Sequence, residues 1–117
     1  DGNFAYGLLL DAASTSIFSA KVQGTTVINS INYNVYVNDD TTGAFTADFG
    51  GGALGSTGGN RIYGALVQDI RVDLDNLQLK AENNWWGNAA GLQGTEKVLD
   101  GTSTLDAAPF LAIDPGP

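Results

Sequence analysis

Apolar and polar positions alternate through short stretches of the chain, and the stretches recur. Tyr6-Gly-Leu-Leu-Leu-Asp11 returns as Tyr33-Asn-Val-Tyr-Val-Asn38, 27 residues on, and as Gln68-Asp-Ile-Arg-Val-Asp73 after a further 35. Aligned in this way, Leu8, Val35 and Ile70 form one apolar column, and Leu10, Val37 and Val72 form a second two residues later. A mixed column of Leu9, Tyr36 and Arg71 lies between them. Two apolar columns flanking a tolerant one have the parity of a strand with one buried face. Asp11, Asn38 and Asp73 come next and suit a turn. The 35-residue offset also aligns Val27-Ile-Asn-Ser30 with Ile62-Tyr-Gly-Ala65, and Leu77 to Ala81 alternates in the same manner. No ten-residue stretch carries a helical period. Self-similarity of this length therefore predicts a β-solenoid of about four coils, each burying its apolar edge against its neighbours.

The eight extra residues of the longer unit fall in 41–59, which contains Asp48-Phe-Gly-Gly-Gly52 and Gly58-Gly-Asn60. This predicts one Gly-rich lateral loop with several positive-φ positions. Counting back 27 residues from Val27 passes Asp1, so the chain is expected to open partway through a coil. Residues 88–117 are expected to hold a terminal strand and tail, with apolar Phe110 to Ile113 set between prolines that cannot donate to a ladder. The whole of 1–117 reads as one domain. The start at Asp1 and the lack of methionine lead us to expect a processed product or part of a longer chain, with any signal peptide removed.

Composition narrows the function classes. With 43% hydrophobic and 15% charged residues the chain belongs with folded proteins. Thirteen acidic against five basic residues, a net charge of -8, argue against nucleic acid, because too few cations exist to replace its counterions. The same acidity suits a soluble secreted protein and leaves carboxylates for hard cations. Zero cysteines and zero histidines remove disulfides, zinc-thiolate sites, thiol catalysis and the usual general base. The apolar run from Gly7 to Leu10 is far below the roughly 20 residues of a membrane helix, so no membrane span is expected.

Asn83-Asn-Trp-Trp-Gly87, with Asn60-Arg-Ile-Tyr-Gly64 and the glycine loop from Asp48 to Gly59, resembles the last coils of right-handed parallel β-helix repeat proteins of the pectate-lyase-like superfamily. The likeness spans most of the chain. Its coil pattern is degenerate, while Asn-Asn-Trp-Trp-Gly followed by a Pro-rich end is more specific. The resemblance implies an all-β right-handed parallel β-helix located outside the cell or at its surface. Members of that superfamily include polysaccharide lyases and hydrolases, adhesins and domains without assigned activity, and the fold does not select among them.

Trp85 and Trp86, if on a strand, point to opposite faces, so at most one can fill the core end. The other either covers the last coil or stacks on a sugar ring. With Tyr36 and Arg71 they form the candidate ligand-binding set. Asn29, Asn34, Asn38, Asn83 and Asn84 are candidates for side-chain ladders between coils. Asp39, Asp40 and Asp48, and separately Asp73 and Asp75, can be read as Ca²⁺ ligands or as solvated turn carboxylates; their spacing matches no EF-hand and no Gly-Gly-x-Gly-x-Asp array. No cofactor is assigned, Ca²⁺ being the one these carboxylates could take. A lyase of the superfamily would need an acidic Ca²⁺ cluster and an Arg or Lys base, and the cations here are Lys21, Arg61, Arg71, Lys80 and Lys97. Arg71 stands two residues from both Asp69 and Asp73, which fits an ion pair as well as a small active site. The related hydrolases use a His and an Arg-x-Lys segment, and neither occurs. No catalytic residue is assigned. The expected function is a non-catalytic extracellular structural module, adding copies of itself or its parent chain end to end through open coil ends into filaments or surface structures. The alternatives are a carbohydrate-binding or adhesive module for polysaccharide, and a polysaccharide lyase or a fragment of one.

Overall fold

The computed structural model describes residues 5–11, 17–38, 45–73, 77–99 and 102–117. The stretches rich in Val, Ile, Thr and aromatic residues, which fit a pleated half-buried surface, form ten short strands among the described residues. They are β1 (Tyr6–Leu10), β2 (Phe18–Lys21), β3 (Thr26–Ile28), β4 (Tyr33–Asn38), β5 (Phe45–Asp48), β6 (Arg61–Tyr63), β7 (Gln68–Asp73), β8 (Gln78–Lys80), β9 (Lys97–Leu99) and β10 (Thr104–Asp106). A single 3₁₀ turn, Gly94–Glu96, is the helical element among the described residues.

The ladders among the described residues are all parallel, and the chain is all-β with parallel sheets. The first sheet has the order β1-β4-β7-β9, the second β2-β5-β8-β10, and the third pairs β3 with β6. Parallel neighbours need a crossover between them, and here each crossover runs through the other two sheets. On the third pass Trp85 bridges Arg61 at the far edge of β6. On the fourth, after β9 and β10, the tail lies along that segment: the Asn83 N–H donates to the Pro109 carbonyl (2.7 Å) and the Leu111 N–H to that of Asn84 (2.9 Å).

The registers reproduce the two predicted columns. Leu8 faces Val35 and Val35 faces Ile70; Leu10 faces Val37 and Val37 faces Val72. Val35, Val37, Ile70 and Val72 have no accessible surface, and each such aliphatic side chain contributes about 1.5–3 kcal/mol by leaving water. Phe49, Ile62, Leu79, Ala81 and Trp86 complete the interior. The first column ends on a charge, because Ile70 faces Lys97.

Four expectations are corrected. The stretch 41–59 is not all loop: Phe45–Asp48 is a strand, in register with Phe18–Lys21, and among the described residues of this stretch the chain leaves the sheets only from Phe49 on, as far as Asn60 just beyond it. Residues 41–44 lie outside the described residues. The chain's first pass is not partial in strand content, since β1, β2 and β3 supply one strand to each sheet. In 88–117 the strands are β9 and β10, whereas Phe110 to Ile113, flanked by Pro109 and Pro115, makes isolated backbone bonds and no strand. Last, the asparagine ladder has other members. Asn29 and Asn83 are turn residues with φ of 60° and 62°, a left-handed conformation that asparagine tolerates, and Asn38 is an exposed strand end. Asn34 and Asn84, both expected, do bond across passes: Asn34 Nδ2 donates to Asp69 Oδ1 (2.9 Å), and Asn84 Oδ1 accepts from Nδ2 of buried Asn60 (2.9 Å), a partner not expected.

Candidate functional site

Of the proposed ligand-binding residues, Tyr36 and Arg71 sit side by side on the outer face of the first sheet, in direct register. Asp73 ties them together: Tyr36 donates its hydroxyl to Oδ2 (2.7 Å) and Arg71 Nε donates to both oxygens (3.0 and 3.1 Å). That hydrogen bond, with burial and the carboxylate charge, pushes the Tyr36 phenol up to about 12. Arg71 also donates to the Tyr33 hydroxyl (3.1 Å) and stands 5.4 Å from the centre of its ring. Tyr6 stacks on Tyr33 with the ring centres 5.8 Å apart. The register that builds the buried columns thus builds an aromatic and guanidinium patch outside. Arg71 is held by a carboxylate and a phenol.

Trp85 and Trp86 lie elsewhere, on the third pass, where Trp85 bridges β6 of the third sheet. Trp86 is buried in the core at 4% exposure, and Trp85 is half-buried beside Arg61. Arg61 is in turn fastened by Asp114 of the tail, through Nε (2.6 Å) and Nη2 (2.9 Å), and this pair lowers Asp114 to about 2.

Trp86 also helps line a recess of about 380 Å³ at the corner where the third sheet gives way to the first, together with Tyr63, Asp69, Asn88, Gln93 and Glu96. The recess was not expected from the sequence. Asp69, on β7, is its buried carboxylate at 2% exposure. Oδ1 accepts from Asn34 Nδ2 (2.9 Å) and from the Ala65 N–H (3.1 Å). Burial, with Glu96 adding repulsion, outweighs these bonds and raises Asp69 to about 6. A carboxyl whose folded value lies above its unfolded value of 3.8 binds its proton more tightly when folded. Its contribution to stability is whole below about pH 4 and is lost as pH rises through about 6. Asp69→Asn keeps an oxygen for both donors and removes the buried charge. We expect the variant to melt with wild type at pH 4 and above it at pH 7, read by thermal denaturation across that range.

Asp48 is built into the glycine loop. Oδ1 accepts the N–H groups of Gly50 and Gly52, and Oδ2 those of Leu54 and Ser56, at 2.9–3.0 Å. Burial opposes ionisation, but the four donors outweigh it and hold the carboxyl below its usual range. The loop is therefore folded around a carboxylate. Asp39, Asp40 and Asp75 lie outside the described residues, and the described residues contain no cluster of three acidic side chains placed to hold a metal ion. No helix among them is long and apolar enough to cross a membrane.

The sequence did not reveal the role of Asn60 or of Glu96, nor that Asp69, set beside Arg71 by spacing, bonds to Asn34 and Ala65 while Asp73 takes Arg71. Asn60 and Asn84 are 24 residues apart, outside both repeat spacings, and the recess joins segments from two passes. Comparison with protein-family models, with curated proteins and with solved structures gives no match for this chain.

Proposed function

We propose that this chain is a non-catalytic structural module of an extracellular or cell-surface protein: a right-handed parallel β-helix of the pectate-lyase-like kind, joined through its first rim to another edge of parallel β structure. One observation carries the proposal. The three strands of the first pass sit at the ends of their sheets, and Leu9, Ile17 and Ile31 around them are exposed apolar residues. Leu8, which stands above fully buried Val35 and Ile70, is only half-buried. An edge that no other described residue pairs with, carrying an unfinished apolar column, is a template for strand addition.

The opposite rim is chemically different. Its column ends in Lys97, the tail lies along the third sheet with Pro109, and Lys80 on β8 is paired with Asp106 on β10. Lysine and proline are the usual devices that blunt a strand edge. β9 and β10 also end their sheets, but these devices disfavour addition there, which favours limited complexes over filaments. A structural role also accounts for Arg71, whose guanidinium is occupied by Asp73 and Tyr33.

Sedimentation velocity over a concentration series tests this. The chain alone should form a limited dimer through its first rims, and Leu8→Lys, which places a charge where only an added strand would bury it, should restore the monomer. A monomer at every concentration would contradict the docking rim. Open-ended growth would contradict the closed one.

The patch of Tyr6, Tyr33, Tyr36 and Arg71 supports a second reading, binding of polysaccharide by stacked rings. Its mark would be retention on a polysaccharide gel that Tyr36→Ala abolishes.

A further inference from the structure

The recess between the third and first sheets has an unbalanced lining. It presents two carboxylates, Asp69 and Glu96, two aromatic side chains, Trp86 and Tyr63, the amides of Asn88 and Gln93, and no cation. Asp69 is 98% buried, and both of its hydrogen bonds fall on Oδ1, so among the described residues Oδ2 has no donor. Among the described residues the fully buried side-chain atoms left without a partner are Ser30 Oγ, Gln68 Oε1 and Trp86 Nε1, so the open Asp69 oxygen keeps some accessible surface. The nearest arginine of the third sheet does not supply the missing charge: Arg61 is held by Asp114 and lies against the Tyr63 ring, 5.7 Å from its centre.

We propose that this recess binds a small organic ammonium ion. The charged head would take the open Asp69 oxygen and Glu96, and its alkyl part would lie against Trp86 and Tyr63. Carboxylates with aromatic walls are the combination that recognises ammonium groups, through hydrogen bonds and attraction to the ring faces. The volume of about 380 Å³ is within the range of small-molecule sites. Burial together with Glu96 favours the protonated form of Asp69, so a bound cation and a bound proton compete for the same place. The same lining would suit a neutral sugar less well, because nothing in it balances the second carboxylate. The site is independent of the rim proposed for assembly.

The test uses the full chain carrying Trp85→Phe, so that Trp86 is the one indole, titrated with n-butylammonium at pH 7 and followed by indole fluorescence. A saturable change is expected, weakened about tenfold or more by Asp69→Asn, by Glu96→Gln, and at pH 4.5 where Asp69 carries its proton. Asp106→Asn, an equal loss of charge on the second sheet, should bind as the parent does, which separates a site from general attraction to an acidic protein. Asp69→Asn is expected to be at least as stable as the parent, so a loss of binding there would not reflect unfolding. The proposal is overturned if n-butylammonium gives no saturation, if n-butanol or methyl glucoside gives the same response, or if Asp69→Asn binds equally well.

Discussion

Asn60→Ala is expected to cost the fold about 3–5 kcal/mol, far more than an ordinary polar-to-alanine change. Asn60 has no accessible surface. Its Nδ2 donates to the carbonyls of Val22 (3.1 Å) and Phe49 (3.0 Å) and to Asn84 Oδ1 (2.9 Å), while its Oδ1 accepts the Thr25 N–H (2.9 Å). One side chain thus joins the turns of three successive passes. Some of these partners keep a second bond: Val22 also accepts from Ser56 and Phe49 from Asn84. The Thr25 N–H keeps none that compares, and a small cavity is added. Urea denaturation should show a lower midpoint with an unchanged slope, the mark of lost stability in an otherwise intact fold. Asn38→Ala, at an exposed strand end, should fall within about 0.5 kcal/mol of wild type.

Gly50→Ala is expected to be comparably damaging for a different reason. A Cβ at this position would stand 1.8 Å from the Glu82 carbonyl oxygen on the next pass. The obstacle is backbone, which cannot rotate aside as a side chain can. The Glu82 N–H also donates to the Gly50 carbonyl (3.0 Å), and its own φ is 153°, where side chains are rarely found. Relieving the clash means separating two passes at the point where the Asp48 loop leaves the second sheet. A loss of about 3 kcal/mol or more follows, at the upper end of overpacking costs. Gly55→Ala is the useful contrast: its φ of 79° strains the backbone, yet an added Cβ meets nothing within 4 Å, so the loss should be near 1 kcal/mol.

The first sheet was legible because period-2 alternation and branched side chains mark its strands strongly, and because its members recur at the repeat spacing. Leu8, Val35 and Ile70 meet as their sequence columns require. The second sheet was harder to see. The 27-residue spacing also superposes Phe18-Ser-Ala-Lys21 on Phe45-Thr-Ala-Asp48, whose phenylalanine rings stack 4.6 Å apart, but small residues and the adjoining glycines made the second copy resemble loop. Strand parity allowed at most one of Trp85 and Trp86 into the core, and Trp86 is the buried one. It could not say that Trp86 would share a recess with Asp69 and Glu96, because that meeting depends on how the turns after β6 and Trp86 stack. The buried asparagines divide in the same way. Repeat spacing brings Asn34 over Asp69, 35 residues on, whereas the Asn60–Asn84 bond joins passes of unequal length.

Amide hydrogen exchange, followed residue by residue at increasing protein concentration, tests the assembly account most directly. Protection should rise with concentration along β1, β2 and β3, and stay constant along β4 and β7, which are already paired on both sides, and along β9 and β10. Exchange in the first three strands that ignores concentration, or new protection confined to β9, β10 and the tail, would contradict a module that docks through its first rim.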